Sequence, residues 1–248
     1  MSRTKGYYDL RDALALPGCP MCRVTRQAVE HYLDGLIYEK VNDPGLRSAM
    51  REARGFCQRH AWGRVRHGAA LGVAIMLRDV LHTLQSALSE GRFRQGSMFT
   101  LARVQETLDT RQPRVATSDI VRNLGPQAPC PVCAHELDVE DGLIAAYLEN
   151  LVGEEGLLDT YIRSDGFCVP HLRQVLARTS DEALFATIGE AQQTIWARLE
   201  ALLSEAIRKS DYRFADEAPG EEGTAWLRAI AATAGEGFGS RKRGDGHH

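Results

Sequence analysis

No apolar run in this sequence is long enough to cross a bilayer. The longest, AALGVAIML at Ala69–Leu77, falls far short of the roughly 20 residues that a spanning helix needs. Lysine is scarce as well, occurring only at Lys5, Lys40, Lys209 and Lys242 among 30 basic residues, and the arginines form no stripe. With a net charge of −3 there is no basic field to recruit nucleic acid. The opening MSRTKGYYDLRD lacks the apolar centre of a secretory signal, so the expected location is cytoplasmic. Nucleotide-binding glycine loops, nucleophile elbows and metalloprotease helices are missing, which weighs against an enzyme. Alternating strand patterns are missing too. Above all, no cysteine is spare.

All six cysteines fall in two matching blocks. CPMC (Cys19–Cys22) is followed by GFCQRH (Gly55–His60), and CPVC (Cys130–Cys133) by GFCVPH (Gly166–His171). Residues 19–60 align with 130–171 without a gap at an offset of 111, giving ten identities in 42 positions. An internal repeat of this kind organises the whole chain. It predicts one helical repeat over 1–90, a connector over 91–118 and a second repeat over 119–214. A linker, a short helix and a disordered tail then fill 215–248.

The segments themselves read as helix. Val24, Ala28, Tyr32, Leu33, Leu36 and Ile37 recur at helical spacing, as do Leu137, Ile144, Tyr147, Leu148, Leu151 and Val152. Shorter helices are predicted over Leu46–Arg54 and Leu157–Ser164, and one long helix over His60–Leu88. On that last helix, Gly68 and Gly72 offer a close approach to a neighbour. Thr179 and Glu182 have capping-box spacing before an amphipathic helix that runs to about Lys209. The predicted fold is all-α: two pseudo-equivalent helical repeats, each closed by a metal site, plus a long C-terminal helix.

Three thiols and one imidazole per repeat make a standard closed tetrahedral set for zinc, and the C-x2-C and C-x2-H spacings let neighbouring ligands converge. Pro20, Pro131 and Pro170 suit the first turn of a helix, where free N–H groups and the dipole favour thiolate. The predicted ligands are Cys19, Cys22, Cys57 and His60 in one repeat, and Cys130, Cys133, Cys168 and His171 in the other. Ligation crossed between the repeats is the alternative. Two zinc ions per chain are expected. An iron–sulfur cluster, or dithiol redox and electron-transfer chemistry at CPxC, are the rivals. Phe56 and Phe167 are expected to plug the core beside each site. The acidic run ELDVED at Glu136–Asp141 reads as solvated helix-start charge. His31, His67 and His82 read as packing or surface residues, and His135 as a neighbour of the ligands at best.

The doubled CPxC…GFCxxH pattern resembles a family of bacterial proteins of unknown function, all-helical and similar in size, over about residues 9–210. The resemblance implies the metal sites and no activity. The functional expectation is therefore a zinc-stapled scaffold or adaptor that engages a protein partner or a second copy of itself.

Overall fold

Helix starts explain where the elements begin. In the computed structural model, which describes residues 3–62, 68–90, 119–214 and 216–236, proline opens three of them. Pro20 is the first residue of α2 (Pro20–Asp34), Pro44 that of α3 (Pro44–Glu52) and Pro131 that of α7 (Pro131–Asn150). Each supplies a preset φ where no N–H is needed. The others are α1 (Lys5–Leu14), α4 (Gln58–Trp62), α5 (Ala70–Glu90), α6 (Asp119–Leu124), α8 (Leu158–Arg163), α9 (Val169–Arg178), α10 (Glu182–Lys209) and α11 (Ala225–Ala234). A π-helical turn, Gly35–Glu39, prolongs α2, and there is no strand among the described residues. The protein is all-α. No helix among the described residues is long and apolar enough to cross a membrane.

Several boundaries differ from the sequence reading. The single helix predicted from His60 to Leu88 is two, because Gly68 at φ 90° breaks the path before α5. Asp181, not Thr179, caps α10, its Oδ1 accepting from the Leu184 N–H at 2.7 Å. Leu137 and Val152, predicted inward, are exposed. Residues 91–118, Val65, His67 and the tail over 237–248 lie outside the described residues.

The chain forms two compact units, Met1–Glu30 with Glu136–His248, and His31–His135. They are not the two blocks of the sequence repeat, since their boundaries fall inside α2 and α7. The core of the first unit centres on Tyr147, Tyr161 and Phe167, whose ring centroids lie 4.7–5.4 Å apart. Leu10, Met21, Ile144, Leu151, Val175 and Ile188 pack around them, and Cys19 and Cys168 belong to the same cluster. Long α10 packs on α8 and α11.

In the second unit α5 packs against α3, α6 and the π turn, burying Met50, Met76 and Val80. The close approach is real at Gly72 alone: a Cβ there would stand 2.3 Å from the Ile37 carbonyl oxygen. Gly72→Ala is therefore expected to force the helix off its seat and to destabilise this unit by about 1–3 kcal/mol, the usual cost of overpacking. Chemical denaturation checks it, and a stability within error of wild type contradicts it.

Candidate metal centres

The eight predicted ligands gather in two groups of four. In each group all donor atoms lie within 4.8 Å of one another: Cys19, Cys22, Cys168 and His171 in one, Cys57, His60, Cys130 and Cys133 in the other. The grouping expected within each repeat, Cys19 and Cys22 with Cys57 and His60, is not what the structure shows. Each CPxC pair meets the CxxH of the other repeat. Helix placement is the physical reason. The first group lies wholly in the first unit, where the starts of α2 and α9 converge, and the second wholly in the other, where the starts of α4 and α7 do.

Local structure aims the side chains. Cys19 and Cys130 each precede the proline that opens a helix, and Cys22 and Cys133 sit in the first turn. Cys168 is the N-cap of α9 with extended backbone, which places His171 in that helix's first turn. The glycine of each GFC triplet has positive φ, 99° at Gly55 and 68° at Gly166. At Gly166 a Cβ would also collide with Gln192 at 2.8 Å and Ile195 at 2.9 Å. Gln192 Oε1 accepts from the Phe167 N–H at 3.1 Å and from the Tyr161 hydroxyl, while Arg198 donates to the Ser164 carbonyl at 2.8 Å. Helix α10 thus fixes the loop that carries Cys168.

The donor distances match a tetrahedron. With sulfur about 2.3 Å and nitrogen about 2.0–2.1 Å from zinc, S···S edges are about 3.8 Å and S···N edges about 3.5 Å. In the first group Cys22 Sγ is 3.6 Å from Cys168 Sγ. His171 Nδ1 lies 3.6, 3.3 and 3.1 Å from the sulfurs of Cys19, Cys22 and Cys168. In the second, Cys57 and Cys133 are 3.6 Å apart, and His60 Nδ1 lies 3.3, 3.8 and 3.3 Å from Cys57, Cys130 and Cys133. Both groups can hold one metal ion.

Burial and hydrogen bonding shift the two histidines in opposite directions. Burial works against a charged His171, but hydrogen bonds with Cys168, Cys22 and Glu140 outweigh it and push the imidazole up to about 12. Hydrogen bonds from Cys19 and then Cys22 hold the Cys168 thiol far below its ordinary range. Burial, then hydrogen bonds with Cys168 and Cys22, push the Cys19 thiol well above its ordinary range. In the second group burial and then Arg59 depress His60 to about 4, leaving a neutral imidazole ready to ligate. Cys57 is lowered despite burial, through hydrogen bonds from the His60 backbone and Cys133. Cys133 is pushed up to about 12 by burial, then by Cys57 and Cys130.

Sequence reasoning missed Glu140. The residue is buried, and its Oε1 lies 3.1 Å from His171 Nε2 while Oε2 accepts from Gln174 Nε2 at 3.1 Å. A carboxylate on the far nitrogen keeps the proton there and leaves Nδ1 for a metal. Burial alone would raise this carboxyl, but His171 and Gln174 bring it below the usual glutamate value of 4.5. Being depressed in the fold, it contributes stability above the unfolded value near 4.5 and loses it as pH falls through the lower folded value. Glu140→Gln is expected to weaken metal binding at this site by about 10–100-fold and to spare the other, as measured by competition with a chelator. His135, by contrast, stacks on Tyr32 at 4.0 Å and is not one of the donors.

Comparison with known proteins adds a family and no activity. The chain is 24% identical over 221 residues to the "Uncharacterized 23.9 kDa protein in xynA 3'region" of Caldicellulosiruptor sp. (strain Rt8B.4). That alignment covers 88% of this chain and 95% of the relative. No solved structure matches significantly. A model of a family of unknown function (DUF6062) matches residues 9–238, which takes in both donor groups and α11. The chain belongs to that family.

Proposed function

We propose that this protein is a zinc-stapled helical scaffold, with one structural zinc ion in each Cys3His group, and that it engages a protein partner or a second copy of itself. The observation that carries the reading is the closure of both groups. Four soft donors within 4.8 Å of one another fill a tetrahedron and leave no position for a substrate. Thiolate with imidazole suits zinc among the common divalent metals. In the first group the CPxC and CxxH ligands are 146–152 residues apart, and in the second 70–76, so an ion ties remote segments together. Exposed apolar side chains support a partner: on α5, Leu71, Leu81 and Leu88 stand open to solvent.

Elemental analysis with an absorption spectrum tests this on protein purified without chelator. Two zinc equivalents and a colourless solution are expected. Iron and acid-labile sulfide with a brown colour would replace zinc by a cluster, and a metal-free chain that takes up no zinc would end the reading.

A further inference from the structure

Helix α11 and the two residues after it lie against the first donor group. The Glu236 N–H reaches Cys22 Sγ at 3.5 Å, and a Cβ on Gly235 would stand 3.6 Å from Cys168 Sγ and 3.7 Å from Cys22 Sγ. Gly235 has φ 82° and ψ 168°, a region open in practice only to glycine. The chain therefore leaves α11 along a path that lays backbone directly over two of the sulfurs. The Glu236 carboxylate is anchored by Arg26 at 3.2 Å.

A second attachment lies nearby. Arg228 of α11 donates to Asp165 Oδ1 at 2.5 Å, and Asp165 Oδ2 accepts from the Gly18 N–H at 2.7 Å. Asp165 so ties α11 to the loops that carry both Cys19 and Cys168. Beside the helix lies a cleft of about 210 Å³, partly open to solvent and bordered by Cys19, Cys168, Ile195, Leu227, Arg228 and Glu236. Ala225 is the one buried residue of α11, whereas Trp226, Leu227 and Ile230 are exposed. Polar attachments around the donor group thus hold a helix that buries little apolar surface. Elements of that kind open at low free energy.

We propose that the ion held by Cys19, Cys22, Cys168 and His171 is coupled to the docking of α11, so that loss of the ion releases the helix. The inference rests on the metal reading above. With the ion in place, Cys22 is a fixed thiolate that accepts the Glu236 N–H, and together with Cys168 it gives Gly235 a firm surface. Without it, the sulfurs have no common centre and that surface is lost. Linkage makes the effect reciprocal: a docked helix retains the ion by the same factor by which the ion retains the helix. The expected factor is about tenfold, within the roughly 5–150-fold span of such couplings.

The test uses the full chain loaded with zinc and the same chain stripped by chelator. Amide hydrogen exchange over 225–236 is expected to accelerate at least about tenfold on stripping, ahead of the core amides of α10. Gly235→Ala and Arg228→Gln should each weaken zinc binding at the first group about tenfold and leave the other group at its wild-type affinity, as measured by chelator competition. Cys57→Ser, which keeps only the first group's ion, identifies which equivalent is which. Equal exchange over 225–236 with and without zinc overturns the coupling, as does a rise spread evenly over the unit or wild-type zinc affinity at the first group in both variants. Two zinc ions with an indifferent helix would leave the scaffold reading standing, whereas a chain that takes up no zinc overturns both.

Discussion

Cys168→Ser is expected to remove one of two zinc ions and to lower the melting temperature by about 8–16 °C. The magnitude follows from what the ion joins. Cys168 caps α9, and its partners Cys19 and Cys22 sit at the start of α2, so an ion held there would link residues 19–22 to residues some 146–152 positions later. Structural zinc contributes about 10–16 kcal/mol in small peptides that have little else. This unit has its own apolar core, so about 4 kcal/mol is a fitting loss, in the tail of single-substitution effects that includes metal removal. For a chain of this size each kcal/mol corresponds to about 2–4 °C.

The pattern of damage is as diagnostic as its size. Protease should open segments within residues 5–30 and 136–178 together, while Cys57, His60, Cys130 and Cys133 keep their ion. His171→Ala should act in the same direction and more mildly, because three thiolates and a water still hold zinc. Thermal melts with metal counts check both variants. Cys168→Ser with an unchanged melting temperature and two zinc ions would contradict the structural role.

Phe167→Ala should be comparably damaging, at about 3–5 kcal/mol, the usual cost of deleting a buried phenylalanine. Its ring is 1% exposed and packs at 4.7 Å from Tyr147 and 4.8 Å from Tyr161. Its backbone N–H is held by Gln192, one residue from the ligand Cys168. The variant should therefore also release the first group's zinc more readily. The repeat pairs Phe167 with Phe56, yet Phe56 is only half-buried and Phe56→Ala should cost about 1 kcal/mol, near the average for point substitutions. Urea unfolding of the two variants measures the contrast, and equal losses would contradict it.

That asymmetry illustrates how far the sequence could be read. The all-α architecture was legible from helical periodicity, and all eight donors from cysteine spacing and the proline at the helix starts. Their partnership was not. Cys22 to Cys57 and Cys133 to Cys168 are equal in length, and either pairing completes the same chemical set. Entropy favours the shorter closure only logarithmically, so packing of the helix starts decides instead. Glu140 looked like one more acid early in a helix, because nothing local distinguishes a carboxylate that faces a histidine 31 residues away. Gly235 and Glu236 looked like polar tail for the same reason. Their contact with Cys22 and Cys168 arises where the end of α11 meets the donor group, and no spacing announces it.

Crossed ligation is the centre of this account, and zinc retention in two double variants tests it most directly. The chelator concentration is set so that wild type keeps two equivalents and Cys22→Ser keeps one. Under that condition Cys22→Ser with Cys168→Ser should still hold one zinc ion, because both substitutions fall in one group. Cys22→Ser with Cys57→Ser should hold none, because each group loses a thiolate. The reverse outcome, no zinc in the first double variant and one equivalent in the second, would contradict the crossed sites and restore ligation within each repeat.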